Sequence, residues 1–316
     1  MKITFLDAKT VGKLSEIERL KELGELEVYQ TTQPSETLKR IKDSDVVITN
    51  KVLIDEKIIR NSPKLALICV AATGLNNIHL DAAKEKGVEV KNVKGYSTDS
   101  VAQHTFAMLF HLMNHLTYYD KYVKSKKYSS QSLFTSLDRE IFELKGKRFG
   151  IIGLGAIGTK VGELASVFGA EVVYFSTSGI HMDANFKRVE LEELLRTCHV
   201  VSVHAPLNEK TKNLIGWSQF QMMKKQSVLL NTGRGGIINE KELVKALNNN
   251  LILGAAVDVF EKEPLGKTHP FFKTKNKEKL LLTPHIAWSS VEARKQLLNG
   301  IYHNITEFIN SKKNLD

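Results

Sequence analysis

Cysteine is nearly absent from this chain of 316 residues, with only Cys69 and Cys198 present. Both sit in apolar strand-like or helix-end contexts without metal-ligand spacing, so a disulfide framework and a cysteine-based metal centre are excluded. The two read as reduced core thiols of a cytoplasmic protein. Long hydrophobic runs are also missing. No stretch approaches the roughly 20 apolar residues of a membrane span, and no signal segment is expected before the first strand. Low-complexity segments are lacking too. Acidic residues are outnumbered, 35 against 45 Lys and Arg, for a formal charge of +10. The excess lysines are scattered, with no aromatic stacking platform or reading helix beside them. Solvated faces with a mild attraction for anionic small molecules are favoured over a nucleic-acid partner.

What is present is an ordinary globular composition, 42% hydrophobic and 25% charged, in a chain long enough for two cores. Strands are expected at Ile3–Leu6, Leu26–Gln30, Asp45–Thr49, Leu65–Ala71 and Val88–Val93. Helical segments alternate with them, at Ser15–Leu23, from Pro34 to about Lys42, and at Asp55–Asn61 and Leu80–Lys86. That alternation implies a parallel sheet covered on both faces. From Ser97 to Lys126 there is neither Gly nor Pro, and Val101, Phe106, Met108, Leu109, Phe110, Leu112, Met113 and Leu116 cover nearly the whole circumference. One long helix, buried all round and available for a subunit interface, is the expectation. His111 and His115 stand at i,i+4 without a third ligand in sight, so no metal site is assigned.

The chain is organised around Phe149–Gly158, F-G-I-I-G-L-G-A-I-G. An apolar strand meets Gly153, Gly155 and Gly158, and a helical stretch from Thr159 to Phe168 follows. Gly153 allows a sharp turn, Gly155 lets backbone approach a pyrophosphate, and Gly158 lets helix pack close on strand. The pyrophosphate would rest on the N–H groups at the helix start. Three glycines alone are weak, but strand before, helix after and a second strand at Glu171–Phe175 supply the context of a dinucleotide site. Alternation then resumes, with strands at Val200–His204, Ser227–Asn231, Leu251–Val259 and Leu280–Leu282. Helices are expected at Leu191–Thr197, Ser218–Lys224, Asn239–Asn248 and about Ser290–Asn310, and a solvated loop at Lys273–Lys279.

Three strand ends of this second sheet carry chemistry-bearing side chains. Arg234 sits in the glycine-flanked loop N-T-G-R-G-G, a charged fork suited to a carboxylate. Asp258 ends the run A-A-V-D, with Glu263 following in E-K-E-P. His285 follows Leu280–Leu282 in T-P-H-I-A-W. A lone histidine is more often structural, whereas an Arg, Glu and His set after three strands of one sheet is seldom accidental.

These pieces, with A-T-G-L-N-N-I (72–78), S-V-A-Q-H-T (100–105) and H-A-P-L (204–207), are similar to those of the D-isomer-specific 2-hydroxyacid dehydrogenases over nearly the whole chain. The resemblance implies two doubly wound parallel-sheet α/β domains. A flavodoxin-like substrate domain, residues 1–98 and 286–316, would carry an inserted NAD(P)-binding Rossmann domain, 99–285, with substrate in the cleft. It implies His285 as proton donor and acceptor, Glu263 as its partner, and Arg234 as ligand of the substrate carboxylate and keto oxygen. Gly74, Leu75 and Trp288 would also meet substrate. Gly153, Gly155, Ala156, Ile157, Gly158, Ser176, His204, Pro206, Thr211, Thr232, Gly233 and Asp258 would meet NAD or NADP. A homodimer is implied, with neither nucleic acid nor membrane as partner.

Two departures matter. Where relatives carry an acid after the second Rossmann strand, this chain has Ser176-Thr177-Ser178, with His181, Lys187 and Arg188 as the nearest candidates to meet a 2′-phosphate. The acid of the S-V-A-E-H pattern is Gln103 here. H-I-A-W and A-T-G-L-N look most like glycerate dehydrogenases, also called hydroxypyruvate reductases. D-lactate dehydrogenase activity, or reduction of a bulkier 2-keto acid, stands second. The absence of a C-terminal extension argues against the longer phosphoglycerate dehydrogenases. A cofactor-sensing, co-repressor-like binding module is the reading from another class. Which 2-hydroxy acid is used, in which direction and with which nicotinamide, stays open at this level.

Overall fold

The computed structural model describes residues 1–180 and 185–313. The chain divides into two compact units, Met1–Ser97 with Ser289–Asp316, and Thr98–Trp288. The second crossing falls after Trp288 rather than after His285, because the N–H groups of Ile286 and Ala287 bind the Asp258 carboxylate of the second unit.

The first unit is a five-stranded sheet of β1 (Lys2–Phe5), β2 (Glu25–Val28), β3 (Val46–Thr49), β4 (Leu67–Val70) and β5 (Glu89–Asn92). Its order, β2-β1-β3-β4-β5, with every pairing parallel, is that of the flavodoxin-like sheet. Side chains alternate across the pleat. Leu6, Val47, Ile68 and Val70 join Ile41, Ile59 and Ala83 of the covering helices in one buried cluster. The closing helix Val291–Lys313 lies against β4, with Leu297, Leu298, Ile301 and Ile305 buried.

The second unit holds β6 (Arg148–Ile152), β7 (Glu171–Phe175), β8 (Lys187–Arg188), β9 (Val200–Val203), β10 (Val228–Asn231), β11 (Gly254–Val257) and β12 (Leu280–Leu282). The order β12-β11-β10-β9-β6-β7-β8, again all parallel, is the Rossmann arrangement, with the order reversing between β6 and β9. Phe149, Ile151, Val200, Leu230 and Ala256 face the helices Thr98–Met113 and Ala156–Val167. Ile152, Val201, Leu229 and Val257 face the helices Leu191–Thr197, Trp217–Met222 and Glu240–Asn248.

The single helix expected over Ser97–Lys126 is two helices, Thr98–Met113 and Leu116–Lys124. His115 adopts φ 49°, in the left-handed region, and breaks the ladder without Gly or Pro. Nor is the segment buried all round. Asp99, Gln103 and Ala107, spaced by four, are exposed, and no residue of Leu116–Lys124 is buried. Its tyrosines, aspartate and lysines cannot sustain the apolar face begun by Val101–Met113. His111 Nε2 pairs with Thr117 Oγ1 at 2.8 Å. The two-residue strand β8 carries no sequence signal of its own.

Candidate active site

Because all the strands run parallel, the loops after β6, β7, β9, β10, β11 and β12 open at one edge of the second sheet, where open α/β sheets take their ligands. At the reversal point Gly153 has φ 91°, its N–H donates to Phe175 O at 3.0 Å, and an added Cβ would lie 2.7 Å from the Ala205 backbone. At Gly158 a Cβ would meet Gly153 O at 2.3 Å. Both glycines are fixed by the close approach of turn, helix and neighbouring strand. Gly155, the N-cap, is different: a Cβ there meets nothing within 4 Å. Backbone N–H groups of Ala156 and Ile157 begin a 12-residue helix beside that open position. A pyrophosphate fits such a cradle, with the helix dipole favouring its charge.

After β7, Ser176 is buried, and its Oγ accepts the Gly179 N–H at 3.2 Å. Arg188 donates from a guanidinium nitrogen to Gly179 O at 2.9 Å, while Lys187 lies exposed beside it on β8. His181 lies outside the described residues.

After β9 the strand passes into His204 and exposed Pro206. His204 Nε2 pairs with Ser202 Oγ at 2.8 Å and Nδ1 with Thr232 Oγ1 at 3.3 Å. Burial holds its pKa down to about 3, so this ring is neutral and serves as a fixed hydrogen-bonding group. Thr232 in turn meets Thr105 Oγ1 at 3.1 Å, linking the β10 loop to the helix Thr98–Met113. Thr211 is fully buried, and its hydroxyl donates to Pro206 O at 2.7 Å and accepts Asn208 N–H at 2.8 Å. It shapes the Pro206 loop from within.

The β10 loop is shaped by Asn231. Its Oδ1 accepts Gly233 N–H at 3.1 Å and its Nδ2 donates to Arg234 O at 3.0 Å. The half-buried Arg234 donates to Gly233 O at 2.8 Å, leaving the rest of its five-donor fork for an anion.

The histidine turn is the most heavily constrained part. His285 has φ 55°, a left-handed backbone that a non-glycine residue holds only when its surroundings enforce it. Asp258 enforces it. The Asp258 carbonyl accepts His285 N–H at 2.8 Å, and the carboxylate accepts Ile286 N–H and Ala287 N–H, each at 2.9 Å. Thr283 Oγ1 donates to the same carboxylate at 2.5 Å and meets His104 Nε2 at 3.1 Å. Asp258 is fully buried, with its oxygens engaged by this turn. The sequence alone assigns no role to Thr283, His104, Thr105 or Ser202, although Thr283 stands in T-P-H-I-A-W and His104 and Thr105 stand in S-V-A-Q-H-T.

His285 Nδ1 lies 2.7 Å from Glu263 Oε2, and Glu263 Oε1 accepts Phe260 N–H at 2.9 Å. An ionised carboxylate only accepts, so Nδ1 carries a proton and Nε2 is the atom left to exchange one with a ligand. Trp288, half-buried, follows at the end of the turn, where Ser100 Oγ donates to Ala287 O at 2.7 Å. Gly74 and Leu75 belong to the first unit, in the loop after β4, where Leu75 packs on the core. Among the described residues no group of three or more His, Cys, Asp or Glu is placed to hold a metal, and no helix is long and apolar enough to cross a membrane.

Known proteins resemble the chain in sequence and in fold. Residues 106–287 match the D-isomer specific 2-hydroxyacid dehydrogenase, NAD binding domain family. A protein of Haemophilus influenzae named putative 2-hydroxyacid dehydrogenase is 38% identical over 98% of each chain. A hydroxypyruvate reductase of Blautia hydrogenotrophica is 34% identical over 98% of this chain and 97% of its own. Among solved structures, an acyclic imino acid reductase in complex with NADPH and D-Arg superposes with a TM-score of 0.88 at 28% identity. That match covers 99% of this chain and 98% of the other. The likeness to these relatives thus runs along nearly the full length of the chain. The chain belongs to the D-isomer-specific 2-hydroxyacid dehydrogenases and is an oxidoreductase of that family.

Proposed function

We propose that the chain reduces short 2-keto acids, glyoxylate and hydroxypyruvate first among them, to the corresponding 2-hydroxy acids, and runs the reverse oxidation. The observation that carries this reading is the His285–Glu263 pair, 2.7 Å apart, on the same sheet edge as Arg234. A bound nicotinamide supplies or accepts the hydride. Arg234 binds the carboxylate and the carbonyl oxygen, drawing electron density toward that oxygen. His285 Nε2 delivers the proton that the oxygen needs as the hydride arrives at carbon, and Glu263 stabilises the imidazolium before transfer. In the reverse direction neutral His285 removes the hydroxyl proton. Asp258, in this assignment, acts by holding the histidine turn.

Both nicotinamides are expected to serve. Ser176 places a hydroxyl, already engaged by Gly179, where a carboxylate would repel a 2′-phosphate. Arg188, tethered to the Gly179 carbonyl of the same turn, is a cation that could swing toward that phosphate. A homodimer is part of the same reading. Leu133, Phe134, Leu137 and Ile141 are 68%, 89%, 85% and 58% exposed within nine residues, the kind of apolar surface a two-fold partner covers. The free buried thiols Cys69 and Cys198 suit the reducing cytoplasm.

The test follows NADH and NADPH absorbance with glyoxylate, hydroxypyruvate, pyruvate and phenylpyruvate, for the wild type and His285→Ala. Glyoxylate and hydroxypyruvate should give the highest kcat/KM, with NADH and NADPH within about a hundredfold of each other. His285→Ala should lose about a hundred- to ten-thousand-fold in kcat while binding nucleotide normally. Consumption of neither nicotinamide with any acid, or a variant keeping more than about a tenth of the rate, overturns the assignment.

A further inference from the structure

The turn carrying Glu263 has a second Glu–His pair beneath it. Glu240 opens the helix Glu240–Asn248 that follows the Arg234 loop, and its side chain is only 10% exposed. One carboxylate oxygen accepts Glu261 N–H at 2.8 Å, and the other lies 2.8 Å from His269 Nε2. His269, 12% exposed, accepts Phe271 N–H on Nδ1 at 3.3 Å, which fixes its proton on Nε2, toward Glu240. Its ring stands 4.7 Å from that of Phe271 and 6.5 Å from that of Phe260. The Phe260–Glu263 turn is therefore held at Glu261 N–H by Glu240 and beneath Phe260 by the histidine and Phe271. A third restraint comes from the arginine loop. A Cβ on Gly235 would lie 1.9 Å from the Phe260 carbonyl carbon, so the two loops touch backbone to backbone.

We propose that Glu240 and His269 are positioning residues for the reaction: they clamp the Phe260–Glu263 turn in the place that sets Glu263 Oε2 against His285. The proposal rests on the roles given above to Glu263 and His285. Neither Glu240 nor His269 meets the reacting atoms. Each acts through a turn that reaches the chemistry chiefly by the Glu263 carboxylate, so most of the effect of the clamp should vanish once that carboxylate is gone. A merely structural role predicts no such dependence. Small displacements of a reacting pair are costly, on the order of a hundredfold for 1 Å, so partial loosening should be visible in kcat.

The experiment is a double-mutant cycle in the whole chain, with Glu240→Ala and Glu263→Ala singly and together. The readouts are kcat and KM for glyoxylate reduction and NADH affinity by nucleotide fluorescence. Glu240→Ala alone should lower kcat about tenfold with NADH affinity held within about twofold, and in the Glu263→Ala background it should cost less than about twofold. Glu240→Gln keeps the acceptor for Glu261 N–H but turns its amide N–H toward His269 Nε2–H, so it should recover part of the rate and not all of it. Should Glu240→Ala not fold, His269→Ala runs the same cycle with an expected loss of about threefold. An equal loss of kcat in both backgrounds, or no loss in either, overturns the clamp. A Glu263→Ala enzyme with the rate of the wild type would instead remove the role of Glu263, and the clamp with it.

Discussion

Each unit of this protein has a buried aspartate just past a strand of its parallel sheet, and the two are used alike up to a point. In the first unit Asp7, after β1, accepts Asn50 N–H at 2.9 Å and Lys51 N–H at 2.7 Å, tying down the loop after β3. In the second unit Asp258, after β11, accepts Ile286 and Ala287 N–H groups and ties down the loop after β12. Both carboxylates bridge from one strand end to the next by consecutive amides. The difference lies in what the tethered loop carries: the Asp258 loop holds His285 in a left-handed backbone with its ring against Glu263. A buried acid at a strand end is thus a fastening, and its functional weight comes from what it fastens.

The comparison can be broken first at Asp258. Asp258→Ala strips the acceptor from Ile286 N–H, Ala287 N–H and the Thr283 hydroxyl, and the backbone of His285 loses what enforces it. A fall in kcat of about a hundredfold is expected, with nucleotide affinity changed far less. A near-wild-type rate would show that the histidine turn stands without its aspartate.

A smaller effect should follow from Glu263→Gln, which keeps an acceptor for His285 Nδ1–H and removes the charge. Losing the carboxylate removes the charge that stabilises the imidazolium on the way to proton transfer, so kcat for reduction near neutrality should weaken about tenfold. Equal kcat for the two enzymes would contradict the pairing.

The smallest effect is expected at Asp7. Burial raises its pKa above the ordinary 3.8, against the opposing pull of the Asn50 and Lys51 amides. The folded state therefore holds this proton more tightly than the unfolded chain does. Its contribution to stability is complete below about 3.8 and is lost as pH rises through the folded value. Asp7→Asn has no proton to lose, so the wild type should lose stability relative to the variant across that interval. Melting temperatures of both between pH 3 and 7 measure it, and parallel curves would refute it.

Much of the site is legible in the sequence because its elements are local. A strand, G-x-G-x-x-G and a helix are contiguous, and Arg234, Glu263 and His285 each follow an apolar strand within a few residues. What the chain hides are bonds between distant segments. Glu240 reaches Glu261 and His269, Thr105 reaches Thr232, and Asp258 reaches Ile286 and Ala287. Such side-chain bonds leave no periodic trace, and each acid or hydroxyl taken alone looks like any other polar residue. The break at His115 is hidden for a related reason. A backbone turned left-handed without glycine is decided by packing on either side, not by the residue's own preference. The two-residue β8 is too short to express a pattern.

The division of the chain also bears on its synthesis. The second unit is one continuous segment, Thr98–Trp288, whereas the first needs its closing segment from Ser289 onward. On the ribosome Met1–Ser97 emerges before the second unit, yet the helix Val291–Lys313 that lies against β4 is made after it. At ~5–20 residues per second the intervening segment takes roughly 10–40 s to make. Throughout that interval the nascent first sheet lacks the cover of its last helix, so the Rossmann unit can complete its fold before the older part of the chain does. The sheet made earlier is thus the one whose cover arrives later.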